Sequence, residues 1–219
     1  MVARRWVLRR MAIVLCGIAL LPVLSGHGTA ASAEDVGAFL LSLNTRAIER
    51  LTDESVPLTE RKQQFRELFR ETFDVPAVGR FVLGRYWRKA VPEVRKDFLA
   101  VFEEIMVARF APKFAGYAET KFEIRKVRTL REQGQYMIKS KISPTQGEPF
   151  QVDWRVRERD GRYKILDVVG QGVSMALTLR SEYASVIKDS GGRVEGLVDR
   201  LRERVKSNPK TQTTNSAAN

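Results

Sequence analysis

The residues best suited to covalent or proton-transfer chemistry are scarce in this chain. Its single cysteine, Cys16, and its single histidine, His27, both lie within the first thirty residues. That stretch is basic at Arg4, Arg5, Arg9 and Arg10, apolar from Met11 to Leu24, and ends in Ala31-Ser32-Ala33 before the acidic pair Glu34-Asp35. A basic, then apolar, then small-residue order marks a secretory signal peptide, residues 1–33, with cleavage after Ala33. The apolar run is shorter than the ~20 residues a membrane-spanning helix needs, which argues against a retained anchor. Arg4-Arg5 before Trp6-Val7-Leu8 also fits a twin-arginine signal, and either export route ends outside the cytoplasm. Ile13-Val14-Leu15 is a poor acylation signal for Cys16. The exported chain therefore has neither thiol nor imidazole, which excludes a cysteine nucleophile, a histidine base, a disulfide framework and His/Cys metal sites.

What remains for acid–base work is one constellation, Asp167 with Tyr163, on an apolar strand that also carries Ile165 and Val169. A carboxylate base and a phenol donor in an apolar pocket could serve an enzyme of a cone-shaped α+β fold, related to nuclear transport factor 2. An aspartate in a strand more often faces water or binds a neighbouring backbone group, so the enzyme reading is the alternative.

Of the 38 basic residues four leave with the signal, and the remaining 34 against 26 acidic ones give +8. A basic surface outside the cytoplasm favours phospholipid headgroups or acidic protein faces over nucleic acid. No basic-aromatic nucleic-acid motif accompanies the charge. The charges are also interleaved, as in Glu67, Arg70 and Glu71, which is how an ordinary solvated helix face looks.

The elements that must position any site follow from periodicity. Residues 34–207 read as one domain, and 208–219, with no apolar residue larger than alanine, as a disordered tail. Val36, Phe39, Leu40, Leu43, Ala47, Ile48 and Leu51 recur at helical spacing, as do Phe65, Leu68, Phe69, Thr72 and Phe73. Phe98, Val101, Phe102, Ile105, Met106 and Phe110 mark a third, longer helix starting near Pro92. After Gly116 the period becomes two. Strands are predicted over 122–130, 136–142, 150–156 and 163–169, the last pair joined by the hairpin signal Asp160-Gly161. Phe150, Val152, Trp154 and Val156 face inward, and Gln151, Asp153, Arg155 and Arg157 outward. Two helices, 173–187 and 194–205, separated by Gly191-Gly192, close the chain. The expected fold is α+β: helices packed on one face of a four-stranded, curved antiparallel sheet, a cone with extra N- and C-terminal helices. The longest facing apolar surfaces lie on the inward sheet face and the long helix. They define a cavity lined by Phe102, Ile105, Met106, Phe110, Tyr136, Ile138, Phe150, Val152, Trp154, Val156 and Ile165.

Four stretches carry a family resemblance: Phe73-Asp74-Val75-Pro76, Leu83-Gly84-Arg85-Tyr86-Trp87-Arg88-Lys89-Ala90, Tyr163 to Val169, and Gly172-Val173-Ser174 running on to Arg180 and Tyr183. Together they resemble the MlaC, or toluene-tolerance, family of periplasmic phospholipid-binding proteins, which has a hopanoid-associated branch. Tyr163 and Gln171 depart from the commoner Trp and Glu. The resemblance implies a monomeric, non-enzymatic carrier with no cofactor and a phospholipid or hopanoid as cargo. Its implied partners are an inner-membrane complex linked to an ABC transporter and an outer-membrane lipoprotein–porin complex. Gly84 is read as a helix-ending turn with positive φ, Trp87 as packing that turn down, and Ser174 as the N-cap of the helix after it.

Protein recovered from the periplasm should begin at Glu34 or within a few residues of it, as read by intact mass. A mass that retains residues 1–33 identifies the segment as an anchor.

Overall fold

The computed structural model describes residues 33–132 and 134–207. The expected signal peptide and the expected tail lie outside the described residues, apart from Ala33. Five helices precede the sheet: α1 (Ala33–Leu51), α2 (Leu58–Thr72), α3 (Val75–Leu83), α4 (Arg85–Lys89) and α5 (Pro92–Phe110). The strands β1 (Lys121–Thr129), β2 (Gln135–Ser143), β3 (Phe150–Arg159), β4 (Arg162–Gly170) and β5 (Val173–Ser174) follow, then α6 (Met175–Asp189) and α7 (Val194–Ser207). The sheet is an antiparallel meander in the order β1-β2-β3-β4-β5. The fifth strand is an addition to the expected four; it pairs Val169 with Ser174 and Gly170 with Val173. Two residues are too few to produce a period-two signal.

Helices α3 and α4 escaped the periodicity reading because their signals are caps rather than stripes. The Asp74 carboxylate accepts from the Ala77 N–H at 3.0 Å and Pro76 lies in the first turn of α3, a preorganised helix start. Gly84 ends α3 at φ +52°, where a Cβ is disfavoured. A Cβ there would lie 3.0 Å from the Arg180 guanidinium, which donates to the Phe81 carbonyl and covers the Phe81 ring at 5.0 Å. The Leu83–Ala90 and Arg180–Tyr183 stretches, distant in sequence, therefore form one joint.

In the sheet, pairing sets the inward face in rows: Phe122–Ile142–Phe150, then Ile124–Ser140–Val152–Gly170, then Val127–Ile138–Trp154–Val168, then Thr129–Tyr136–Val156–Ile165. The β3 register agrees with the alternation read from the sequence. Bulges leave Arg125 in β1 and Leu166 in β4 without a cross-strand partner, which sharpens the sheet's twist.

Two hydrophobic clusters result. A helical core joins α3, α5, α6 and α7 through Val82, Leu83, Phe98, Phe102, Met106, Leu179, Ile187 and Leu197. A second cluster lies between the sheet and the α1–α2 pair, with Val36, Leu40, Leu43, Leu51 and Leu68 set against Tyr136, Ile138, Val156 and Ile165.

Tyr183 sits in the helical core, edge-on to Phe98, and its buried hydroxyl has no hydrogen-bond partner among the described residues. Burial, reinforced by the Glu182 charge, pushes its pKa from 10.0 up to about 12. Below pH 10.0 both states hold the proton; between 10.0 and about 12 the unfolded chain releases it and the folded chain does not, so stability falls with rising pH. The loss approaches about 2–3 kcal/mol at the top of that window, at about 1.4 kcal/mol per pKa unit. Tyr183→Phe should leave neutral-pH stability within about 0.5 kcal/mol of the parent or raise it, and should flatten the alkaline decline in urea-unfolding series. Gly84→Ala should cost about 1–3 kcal/mol by the same measurement, through its positive φ and the Arg180 contact.

Candidate functional site

The inward sheet face is built almost wholly of C–H surface. Its one fully buried polar side chain, Ser140, donates to the Val152 carbonyl at 2.6 Å and accepts the Trp154 indole N–H at 3.0 Å. Both of these polar groups are thereby spent on each other and on the backbone, and the other hydroxyls of the face, those of Thr129, Tyr136 and Tyr163, lie toward one end of it. Tyr136, Ile138, Val156 and Ile165 are buried in the cluster that α1 and Leu68 of α2 close. Around them stand half-buried Phe39, Phe114, Phe122, Trp154, Tyr163 and Val168. Phe39 meets Tyr163 at 5.5 Å between ring centroids, and Phe122 meets Trp154 edge-on at 6.4 Å. Flat aromatic side chains at a half-open rim are surfaces that repack without leaving polar groups unpaired.

The eleven residues expected to line one cavity fall into separate places. Phe102, Ile105 and Met106 belong to the helical core and Phe110 packs against it. Tyr136, Ile138, Val156 and Ile165 form the sheet-side cluster with Trp154 against it. Val152 is buried and Phe150 half-buried in the two rows at the far end of the sheet. The long helix α5 packs on α7, and α1 takes the place expected for it over β1 and β2. Periodicity shows that a helix has an apolar stripe but not which partner the stripe meets. The stripe that joins the sheet-side cluster instead is that of α1, Leu40, Leu43, Ala47 and Leu51, which was equally legible.

The Asp167–Tyr163 pair is not assembled. The bulge at Leu166 puts Asp167 opposite Arg155, on the outward face, while Ile165 lies opposite Val156 on the inward face. Asp167 accepts hydrogen bonds from the Val168 N–H, the Ala176 N–H and the Ser174 hydroxyl, and so secures the start of α6. Ser174 in turn accepts from the Leu177 N–H at 3.1 Å, the N-cap expected of it. Burial, then the Asp35 charge, raises the Tyr163 pKa, away from the range useful for proton transfer near neutrality. Among the described residues no group of three or more His, Cys, Asp or Glu is placed to hold a metal ion, and no helix is long and apolar enough to cross a membrane.

The family model described as MlaC protein matches residues 42–203. The chain is 24% identical over 128 residues to the intermembrane phospholipid transport system binding protein MlaC of Haemophilus influenzae, an alignment covering 57% of this chain and 59% of that protein. In fold it is similar to a phospholipid-binding protein from Ralstonia solanacearum, solved in complex with a phospholipid. The TM-score is 0.72 at 21% identity, over 81% of this chain and 99% of that one. With the family model spanning most of the helices and the whole sheet, the chain belongs to the MlaC family.

Proposed function

We propose that this protein is a periplasmic phospholipid carrier whose cargo lies with its acyl chains in the seam between α1 and the inward sheet face, the headgroup remaining at the surface. The observation that carries the reading is the seam itself: a largely apolar sheet face whose buried serine is paired off, covered by α1 with Leu68 of α2 and left half-open at an aromatic rim. Exposing two acyl chains with ~30 methylenes at ~0.8 kcal/mol each would cost on the order of 24 kcal/mol in water. A carrier needs only to replace membrane by protein, and contacts between α1 and the sheet, being non-directional, exchange for contacts with acyl chains at little net cost. No cofactor and no covalent step enter. Family membership supports a cargo of phospholipid or a related membrane lipid, with an inner-membrane, ABC-transporter-linked complex and an outer-membrane lipoprotein–porin complex as donor and acceptor.

Native mass spectrometry of protein purified without added detergent should find a co-purified lipid. Ile138→Asp places a carboxylate at a fully buried seam position, where an unpaired charge is costly beside acyl chains. Lipid occupancy of the folded fraction should collapse. Arg155→Glu, on the outward face among Gln135 and Glu132, should leave occupancy near that of the parent. A consistently empty parent protein, or a folded Ile138→Asp variant carrying as much lipid as the parent, refutes the reading.

A further inference from the structure

The outward face of β1 and β2 carries more cations than the carboxylates beside them can pair. Lys121, Arg125, Lys126, Arg128 and Lys139 are exposed there and Lys141 is half-buried beside them, against the carboxylates Glu123 and Asp153. Both carboxylates are already engaged, Glu123 with Arg125 at 2.5 Å and Asp153 with Lys139 at 3.4 Å. Lys126 and Lys139 are direct cross-strand partners, and like charges in that position destabilise a sheet. Lysine on an edge strand guards against edge-to-edge pairing, which accounts for charges on β1. It does not account for Lys139 and Lys141, because β2 is paired on both sides.

We infer that this face is an electrostatic docking surface for an anionic phospholipid bilayer. Protein partners are recognised through buried aromatic or aliphatic anchors ringed by polar groups, and among the described residues the only apolar side chain on this half of the face is half-buried Met137. A spread of cations without an anchor suits a surface of diffuse negative charge. A depression of about 460 Å³ at this end of the sheet is lined by Arg125, Lys139, Lys141, Pro149 and Gln151 together with Ser140 and Phe150 of the inward rows. The inference stands apart from the carrier reading, because the acyl-chain seam lies on the other face of the sheet.

The test is co-sedimentation of the purified protein with vesicles of phosphatidylcholine alone or of phosphatidylcholine with about one-third phosphatidylglycerol, at ~20 mM and ~500 mM salt. Binding to the anionic vesicles at low salt, its loss at high salt, and no binding to phosphatidylcholine alone are expected. Lys126→Glu with Arg128→Glu should weaken anionic-vesicle binding about tenfold or more. The same variant should unfold at no lower urea concentration than the parent, since the carboxylate introduced on β1 would face Lys139 with opposite sign. Arg88→Glu with Lys89→Glu, exposed on α4, changes net charge equally and should bind as the parent does. The inference is overturned if the parent ignores anionic vesicles at low salt, if both double variants lose binding alike, or if the β1 variant loses none. Lipid co-purified in the seam is unaffected by either variant, so failure here is distinguishable from failure of the carrier reading.

Discussion

The unpaired Leu166 in β4 lets one strand serve the sheet face and the helical layer together. Before the bulge, Ile165 points inward, opposite Val156, into the cluster under α1. After it, Asp167 points the other way and collects the Val168 and Ala176 N–H groups and the Ser174 hydroxyl. A regular strand would keep residues 163, 165 and 167 on one face and bury the carboxylate among apolar side chains. The extra residue avoids that cost and gives α6 its starting point. The same stretch of β4 is tied to the α2–α3 corner. Phe73 bridges Ile165, the Asp74 N–H donates to the Ile165 carbonyl at 3.0 Å, and the Asp74 carboxylate pairs with Arg157.

These ties give the stretches that carry the family resemblance a structural role. Phe73–Pro76, the Gly84 turn, β4 and the Ser174–Tyr183 segment are the joints that hold the sheet to the helical core. The cargo seam proposed for this protein shares Tyr163, Ile165 and Val168 of β4 with these joints, and it depends on residue character more than identity. An acyl chain needs apolar surface of the right extent, which many side-chain combinations supply.

The two clusters differ in how they are closed. The helical core is sealed by interlocked helices around Phe98 and Phe102, both essentially without exposure. The sheet-side cluster is covered by α1 together with Leu68 of α2, and Arg46 of α1 pairs with Glu71 of α2. A partly exposed ion pair contributes little to stability, while the apolar contacts of α1 are of the non-directional kind that an acyl chain could replace. Rigid joints beside a cluster closed largely by apolar contacts suit the proposed carrier role.

Read alone, the sequence determined the α+β class, the long helices, the four main strands and the β3 register, because each rests on a local period of 3.6 or two. It also determined the caps at Gly84 and Ser174, since those need a particular residue at a particular place. Tertiary structure decided which stripe meets which. Phe102, Ile105, Met106 and Phe110 were legible as a buried face, yet they pair with α7; the stripe of α1, equally legible, covers Tyr136 and Ile138. Apolar burial is proportional to area and blind to partner, so periodicity cannot choose between two stripes of similar extent. The bulge at Leu166 was hidden for a related reason. In Ile165-Leu166-Asp167-Val168-Val169 every position but one is apolar, and an almost continuous apolar run does not announce where its alternation slips.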